Sequence, residues 1–289
     1  MILGKETKAG IFKRFKYPKK SLIIDTKMKG DITAVIIAYN AENIIENCLK
    51  SVKWCDDIVV IVNSKTTDKT FDIAKKYTEN VHYGAYKIGF DELRVQALKY
   101  IKTEWIFIID TDERVPSGLA LKIKEIIKTD KYDVIKIPVL SWTWGKFLTS
   151  LSKFDRRVVF KNNVGTFLPH LHNIVYIKPN EKAIEIKDSY IIHYSHLTLH
   201  QTLEKTNEYT DIAAKEYYLK NIHYSHKLLL SSLLKTFYYY FFKVGIFKDG
   251  IQGIIFGINS LYADLITFMK LYELDNNTYQ KYESLDESG

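Results

Sequence analysis

Beyond residue 30 the chain alternates between short apolar runs and amphipathic stretches. Ile32–Ala38 (ITAVIIA) is continuous and rich in β-branched residues, as expected of a strand buried on both faces of a parallel sheet. It breaks at Tyr39-Asn40. Ile44, Ile45, Cys48, Leu49 and Val52 then recur at helical spacing. Asp57–Asn63 (DIVVIVN) predicts a second buried strand. Ser64–Asp68 is a polar turn with N-cap chemistry, and a helix over Lys69–Tyr77 follows. Val81–Tyr83 predicts a short third strand, Gly89–Lys102 a helix carrying Leu93, Ala97, Leu98 and Ile101, and Trp105–Asp110 a fourth strand. Such a β-α-β-α-β-α-β series implies right-handed crossovers and an α/β sheet with helices on its faces.

In sheets of this kind ligands bind beyond the carboxyl ends of the strands. Three polar loops fall there: Tyr39-Asn40, Asn63–Asp68 and Asp110–Glu113. The last belongs to WIFIIDTDERVP (Trp105–Pro116), in which five apolar residues run straight into Asp110-Thr111-Asp112. On an extended segment Asp110 and Asp112 project to the same side. Two carboxylates that close repel unless a cation lies between them, and a hard divalent ion with oxygen ligands, Mg²⁺ or Mn²⁺, suits the place. The plain alternative is an acidic turn capping a helix that starts near Ser117.

The last third differs in character. A polar helix over about Leu197–Leu219 precedes KLLLSSLLKTFYYYFFKVGIFKDG. A further helix carries an apolar stripe through Ile251, Ile254, Ile258, Leu261, Leu265 and Met269, opposite Gln252, Asn259, Asp264 and Lys270. With the aromatic cluster Phe237–Phe242 and flanking lysines, it reads as a helix lying in a membrane surface, or as one packed on its own domain or on a homodimer partner.

Charge sharpens this picture. The chain has 289 residues and a formal charge of +8, and residues 1–30 alone carry nine Lys or Arg against Glu6 and Asp25. Charge confined to an arm interleaved with Ile11, Phe12, Phe15 and Tyr17 suits an anionic membrane surface or a solvated tail, and gives no reason to expect nucleic acid. Two cysteines, Cys48 and Cys55, form neither a disulfide framework nor a metal cluster, and predict reduced thiols in a cytoplasmic protein. The MILG start runs into charge, so no signal peptide is expected, and no uninterrupted apolar run reaches the length of a membrane span. The expected organisation is a basic arm (1–30), a nucleotide-binding domain (31–195), a helical extension (196–275) and a polar tail (276–289).

The series TAVIIAYNAENIIENCLKSV, IVVIVNSKTTDKT, GFDELRVQAL and WIFIIDTDERV resembles the family 2 glycosyltransferases, with their GT-A nucleotide-sugar fold. FDRRVVFKN, LPHLHN and HYSHLTLHQTLEKTNEYTDIAAKEYY resemble the subgroup that builds lipopolysaccharide cores and similar envelope glycans. The resemblance implies a metal-dependent, inverting transfer from a nucleotide-diphospho-sugar, with a UDP-sugar the expected donor, to a glycan or lipid-linked acceptor. It assigns Ala38 and Tyr39 to the base, Asn63 and Asp68 to the nucleoside, and Arg94 to the diphosphate. Asp110 falls to ribose or metal, and Asp112 to the Mg²⁺ or Mn²⁺ ion.

Two positions depart from the pattern. Asn63 stands where relatives have an Asp that reads the base, and Asn173 stands where they have a Glu suited to act as base. The base candidates that remain are Asp155 and His172, with Glu113 behind them. His193, in HYSH with His196, is a candidate third metal ligand. Trp142 and Trp144 in LSWTWGK are candidates for an acceptor platform, since aromatic rings stack on sugar faces; core packing is the alternative. The lost acids also leave open a catalytically impaired sugar-nucleotide or glycan-binding homologue. A nucleotidyltransferase is disfavoured, because AYNAEN lacks the Gly-rich basic loop such enzymes need after the first strand.

Overall fold

The computed structural model describes residues 31–86, 91–153, 156–167, 175–196 and 198–276. The basic arm, Asp155 and His172 lie outside the described residues. Strand β1 (Ile32–Ala38) leads through helix α1 (Ile45–Ser51), β2 (Asp57–Asn63), α2 (Thr70–Lys75), β3 (Val81–Gly84) and α3 (Asp91–Ala97) to β4 (Trp105–Asp110). The two-residue strand β5 (Glu113–Arg114) and helix α4 (Ser117–Lys128) follow. Then come β6 (Val134–Thr143), β7 (Lys146–Leu148), β8 (Arg156–Lys161), β9 (Gly165–Phe167), β10 (Val175–Ile177), β11 (Ala183–Glu185) and β12 (Ile191–His196). Helices α5 (Leu199–Leu219), α6 (His226–Phe237) and α7 (Ile251–Asn276) complete the described chain.

The main sheet has the order β3-β2-β1-β4-β8-β6-β12-β5. Its first four strands are parallel, as the buried β-branched runs predict. β8 enters antiparallel between β4 and β6, β12 runs parallel to β6, and β5 closes the far edge antiparallel to β12. The result is a mostly parallel mixed sheet with helices on its faces.

Side-chain alternation sorts the sheet into two cores. Ile32, Ala34, Ile36 and Ala38 of β1, with Trp105, Phe107 and Ile109 of β4, face α1, α2 and α4. Val35 and Ile37, with Ile106 and Ile108, face the opposite layer, where Leu93 and Ala97 of α3 pack. Asp110 continues the parity of Ile106 and Ile108. It therefore emerges on the α3 side of the sheet, and that parity decides its partner.

The local structure refines the expected pattern at three places. The third helix is shorter than 89–102: α3 ends at Ala97 and tightens into a 3₁₀ turn over Leu98–Tyr100. Trp142 lies in strand β6. The turn is only Trp144-Gly145, both at positive φ (46° and 84°), the conformation of a tight two-residue hairpin. Helix α7 runs to Asn276 at the edge of the polar tail, and its Asp275 accepts a hydrogen bond from the Tyr224 N–H at 2.6 Å.

Candidate active site

The loops after β1 and β2 are stitched together side chain to backbone. Asn40 Oδ1 accepts from Thr67 N (3.0 Å) and Glu42 Oε2 from Lys69 N (3.1 Å). In return Asp68 Oδ2 accepts from Glu42 N (2.9 Å) and Thr70 Oγ1 from Ala41 N (2.7 Å). Asp68 Oδ1 also takes the Thr70 N–H and hydroxyl. Burial alone would raise its pKa, but these bonds outweigh burial and hold the carboxyl below its ordinary range. Asp68 is thus a clamp between two loops, bonded to backbone N–H groups and to the Thr70 hydroxyl.

Beside this clamp, the side chains of Ala38 and Asn63 are buried and Tyr39 is exposed. Any contact from Ala38 must come from its main chain. Asn63 Oδ1 accepts from Lys65 N at 3.0 Å, which fixes the amide orientation. Its Nδ2 is buried and makes no well-formed hydrogen bond; burial pushes the nearby Tyr86 hydroxyl up, which this amide only partly offsets. A buried, unmatched amide donor is costly unless a ligand supplies the acceptor.

At the end of β4 the two aspartates diverge to separate cations. Asp110 Oδ1 meets the buried Arg94 Nη2 of α3 at 3.0 Å, as its parity requires. Asp112 Oδ2 lies 3.4 Å from His193 Nε2 and 3.9 Å from Lys205 Nζ of α5. The register of β12 on β5, with His193 opposite Glu113, brings that histidine to the turn, and Tyr194 N donates to Asp112 O at 2.9 Å. Burial by itself would protonate Asp112 more readily. The His193 hydrogen bond, its charge and Lys205 reverse this, so the carboxyl titrates below its ordinary range.

The turn itself is locked from beneath. Glu113 is wholly buried and its Oε2 accepts the Asp110 N–H at 2.9 Å. Arg114 donates to Thr111 O (2.8 Å) and, across the gap to α1, to Ile44 O (2.8 Å). Cys48 donates weakly to Asp110 O at 3.3 Å. Cys48 and Cys55 are both free and buried, and burial pushes both thiols up. Tyr209, one turn beyond Lys205 on α5, completes the rim. Its hydroxyl is pushed up, by burial first and then by the Asp112 and Asp110 charges.

A family model described as "Glycosyl transferase family 2" matches residues 33–196. The chain belongs to that family. An uncharacterized glycosyltransferase of Rickettsia bellii is 27% identical over 84% of this chain and 86% of its own length. The lipopolysaccharide core biosynthesis glycosyltransferase LpsC of Rhizobium meliloti is 22% identical over 85% of this chain and 93% of its own. The S. aureus TarS structure in complex with UDP-GlcNAc aligns over 87% of this chain and 92% of that chain, at 14% identity and a TM-score of 0.44. That last likeness is loose and bears on neither ligand nor residue.

In this glycosyltransferase, then, the structure gathers Asp110, Asp112, Arg94 and His193 around one turn, and Asn63, Asp68 and Tyr39 around the neighbouring loops. Trp142 is half-buried, with its ring edge-on to Phe147 at 4.7 Å. Sequence reading missed Lys205 and Tyr209. Their i, i+4 spacing puts them on one helix face, but only the packing of α5 shows that this face looks onto Asp112. It also missed Arg114, whose signal was no more than a charge beside the D-x-D run.

Proposed function

We propose that the protein is a metal-dependent, inverting glycosyltransferase that moves a sugar from a nucleotide-diphospho-sugar, a UDP-sugar foremost, to a glycan or lipid-linked acceptor at the cytoplasmic face of a membrane. The observation that carries this reading is the turn after β4, where Asp112 is kept ionised and shares its oxygen with His193 while Asp110 is held by Arg94. The donor set fits Mg²⁺ or Mn²⁺: the Asp112 carboxylate, joined by the His193 imidazole once its Nε2 gives up its proton and its bond to Asp112, with no group of three acidic, His or Cys side chains among the described residues. Such ions are commonly held by one or two protein ligands and complete their shell with substrate phosphates and water. When bound, the ion would neutralise charge on the departing diphosphate.

The chain's own groups divide the remaining tasks. Asn63 Nδ2 offers its unmatched donor to a base carbonyl, and Tyr39 offers an exposed ring to the same base. Arg94 and Lys205 flank the diphosphate end from α3 and α5. In the transfer the acceptor oxygen bonds to the anomeric carbon as the bond from that carbon to the phosphate oxygen breaks. The acceptor proton passes to a base on the face opposite the leaving group, which inverts the anomeric centre. Asp155 and His172 are the candidates for that base. Glu113 is set aside, because it is wholly buried and bonded to the Asp110 backbone. The hairpin bearing Trp142 and Trp144 is the proposed acceptor side. If a homodimer forms, the C-terminal helices are the surface for it.

The test compares wild type with Asp112→Ala, reading UDP-sugar hydrolysis and transfer together with the Mn²⁺ dependence of UDP binding by calorimetry. Loss of one transition-state-stabilising group of this kind costs about 100-fold or more in rate, and the Mn²⁺ enhancement of UDP binding should vanish. Unchanged Mn²⁺-supported turnover in the variant would overturn the metal reading.

A further inference from the structure

The helices after β12 are built inside out. From Ile251 to Met269 every exposed position of α7 is apolar: Ile251, Ile254, Ile258, Tyr262, Leu265 and Met269. At 1.5 Å per residue this stripe runs about 27 Å. Asn259, Asp264 and Lys270, on the opposite side of the helix, turn inward. Asn259 Nδ2 donates to Thr206 of α5 at 3.1 Å. Asp264 Oδ2 accepts from Ser232 (2.9 Å) and Thr236 (2.6 Å) of α6. Lys270 Nζ donates to Asn207 O (2.7 Å) and Thr210 Oγ1 (2.9 Å) and pairs with Asp211 at 2.7 Å. Alongside, α6 and the π-helical segment that continues it (Tyr238–Val244) expose Leu230, Leu234, Phe237, Tyr238 and Phe242.

Charge identifies what covers this face. Between His226 and Tyr272 the exposed ionised side chains are Lys227, Lys235, Lys243 and Lys248, and none is acidic. The two acids of that span are spent internally: Asp264 as above, and Asp249, buried under bonds from Thr149 N, Thr149 Oγ1 and Ser150 N. An apolar, aromatic-rich face flanked by four exposed lysines, with the one exposed acid, Glu273, beyond its far end, complements anionic lipid headgroups over an acyl boundary. A second copy of the same face would oppose lysine to lysine. Crossing the bilayer is also disfavoured. On length and composition α7 could span it, but Asp264 and Lys270 would have to enter with it, along with the charged helix α5 to which α7 is bonded.

We propose that the outward face of α6 and α7 docks in the plane of an anionic membrane surface, as a monotopic anchor and not as a span. This deepens the lipid-linked acceptor reading, and rests on it only for its purpose. Lipid binding is measured without donor or acceptor, so its failure and a failure of transfer are told apart.

The experiment is flotation of the full chain with vesicles of phosphatidylcholine, with and without phosphatidylglycerol. Wild type should float with the anionic vesicles, stay behind with the neutral ones, and be released as salt rises. The triple variant Ile251→Ser/Ile258→Ser/Met269→Ser alters the side chains of the stripe that are more than half exposed, so circular dichroism and UDP binding should match wild type. Its partitioning should fall at least about tenfold, since each serine removes apolar area from the acyl boundary. Equal flotation of wild type and triple variant would assign binding to the N-terminal arm and overturn the proposal. So would no flotation at all, or a stable dimer by light scattering that the triple variant dissolves.

Discussion

At the carboxyl ends of β1 and β2, polar side chains are consumed by the backbone of the opposite loop: Asn40 by Thr67, Glu42 by Lys69, Asp68 by Glu42 and Thr70 by Ala41. On α7 the polar side chains are consumed just as thoroughly, by α5 and α6, yet there it is the apolar stripe that is left facing out. Both regions obey the rule that inward-turned polar groups find partners. They differ in what remains unpartnered. In the sheet it is the Asn63 Nδ2 donor, beside a crevice whose cations are already paired with Asp110 and Asp112. In the helices it is hydrocarbon. The first arrangement suits a charged small ligand and the second an extended apolar phase.

The comparison breaks most visibly if the two kinds of apolar side chain are equally important to folding. Phe107 is fully buried in β4, next to Trp54 at 6.2 Å between ring centroids. Phe107→Ala should lower the free energy of unfolding by about 3–5 kcal/mol, through lost burial plus the cavity left behind. Urea titration followed by tryptophan fluorescence reads this directly, and a loss below about 1 kcal/mol would mean that the sheet core is not the source of stability the burial implies.

A smaller effect is expected at the loop clamp. Asp68→Asn keeps the shape but removes the charge that accepts from Glu42 N, Thr70 N and the Thr70 hydroxyl, and should cost about 1–2 kcal/mol at neutral pH. The sign with pH follows from the lowered carboxyl pKa. A carboxylate depressed in the folded state stabilises above the unfolded value, near 3.9, and that contribution fades as pH falls through the folded value. The stability gap between wild type and Asp68→Asn should therefore be constant above about pH 5 and close below about pH 4. A gap that widened on acidification would show that Asp68 is not held ionised by the clamp.

How much of this was legible in the sequence depends on the range of the interaction. β1, β2 and β4 appear where continuous β-branched runs put them, because burial on both faces leaves a local pattern that needs no partner to be read. The D-x-D turn was legible for the same reason: apolar residues stop and carboxylates begin. What each aspartate binds was not legible. Asp110 finds Arg94 through strand parity and the packing of α3, while Asp112 finds His193 and Lys205 through the register of β12 on β5 and the approach of α5. The apolar stripe of α7 was also plain, but its polarity in space was not. Periodicity shows that a helix has two faces and does not show which one turns inward. The hydrogen bonds of Asn259, Asp264 and Lys270 decide that, and their partners lie far away in the chain.

The smallest effect is the one that most sharpens the contrast. Ile258 carries the same kind of side chain as the buried Ile36, yet it is 56% exposed against 0%. In the absence of lipid, Ile258→Ser removes hydrocarbon that water already touches, so the change in unfolding free energy should stay within about 0.5 kcal/mol. The same measurement repeated with phosphatidylglycerol vesicles should separate the two proteins, because anything that binds only the native state raises its apparent stability, and the variant would gain less. A loss in water approaching that of a core substitution would place the outward stripe inside the protein's own packing, and the inside-out reading of α7 would fall with it.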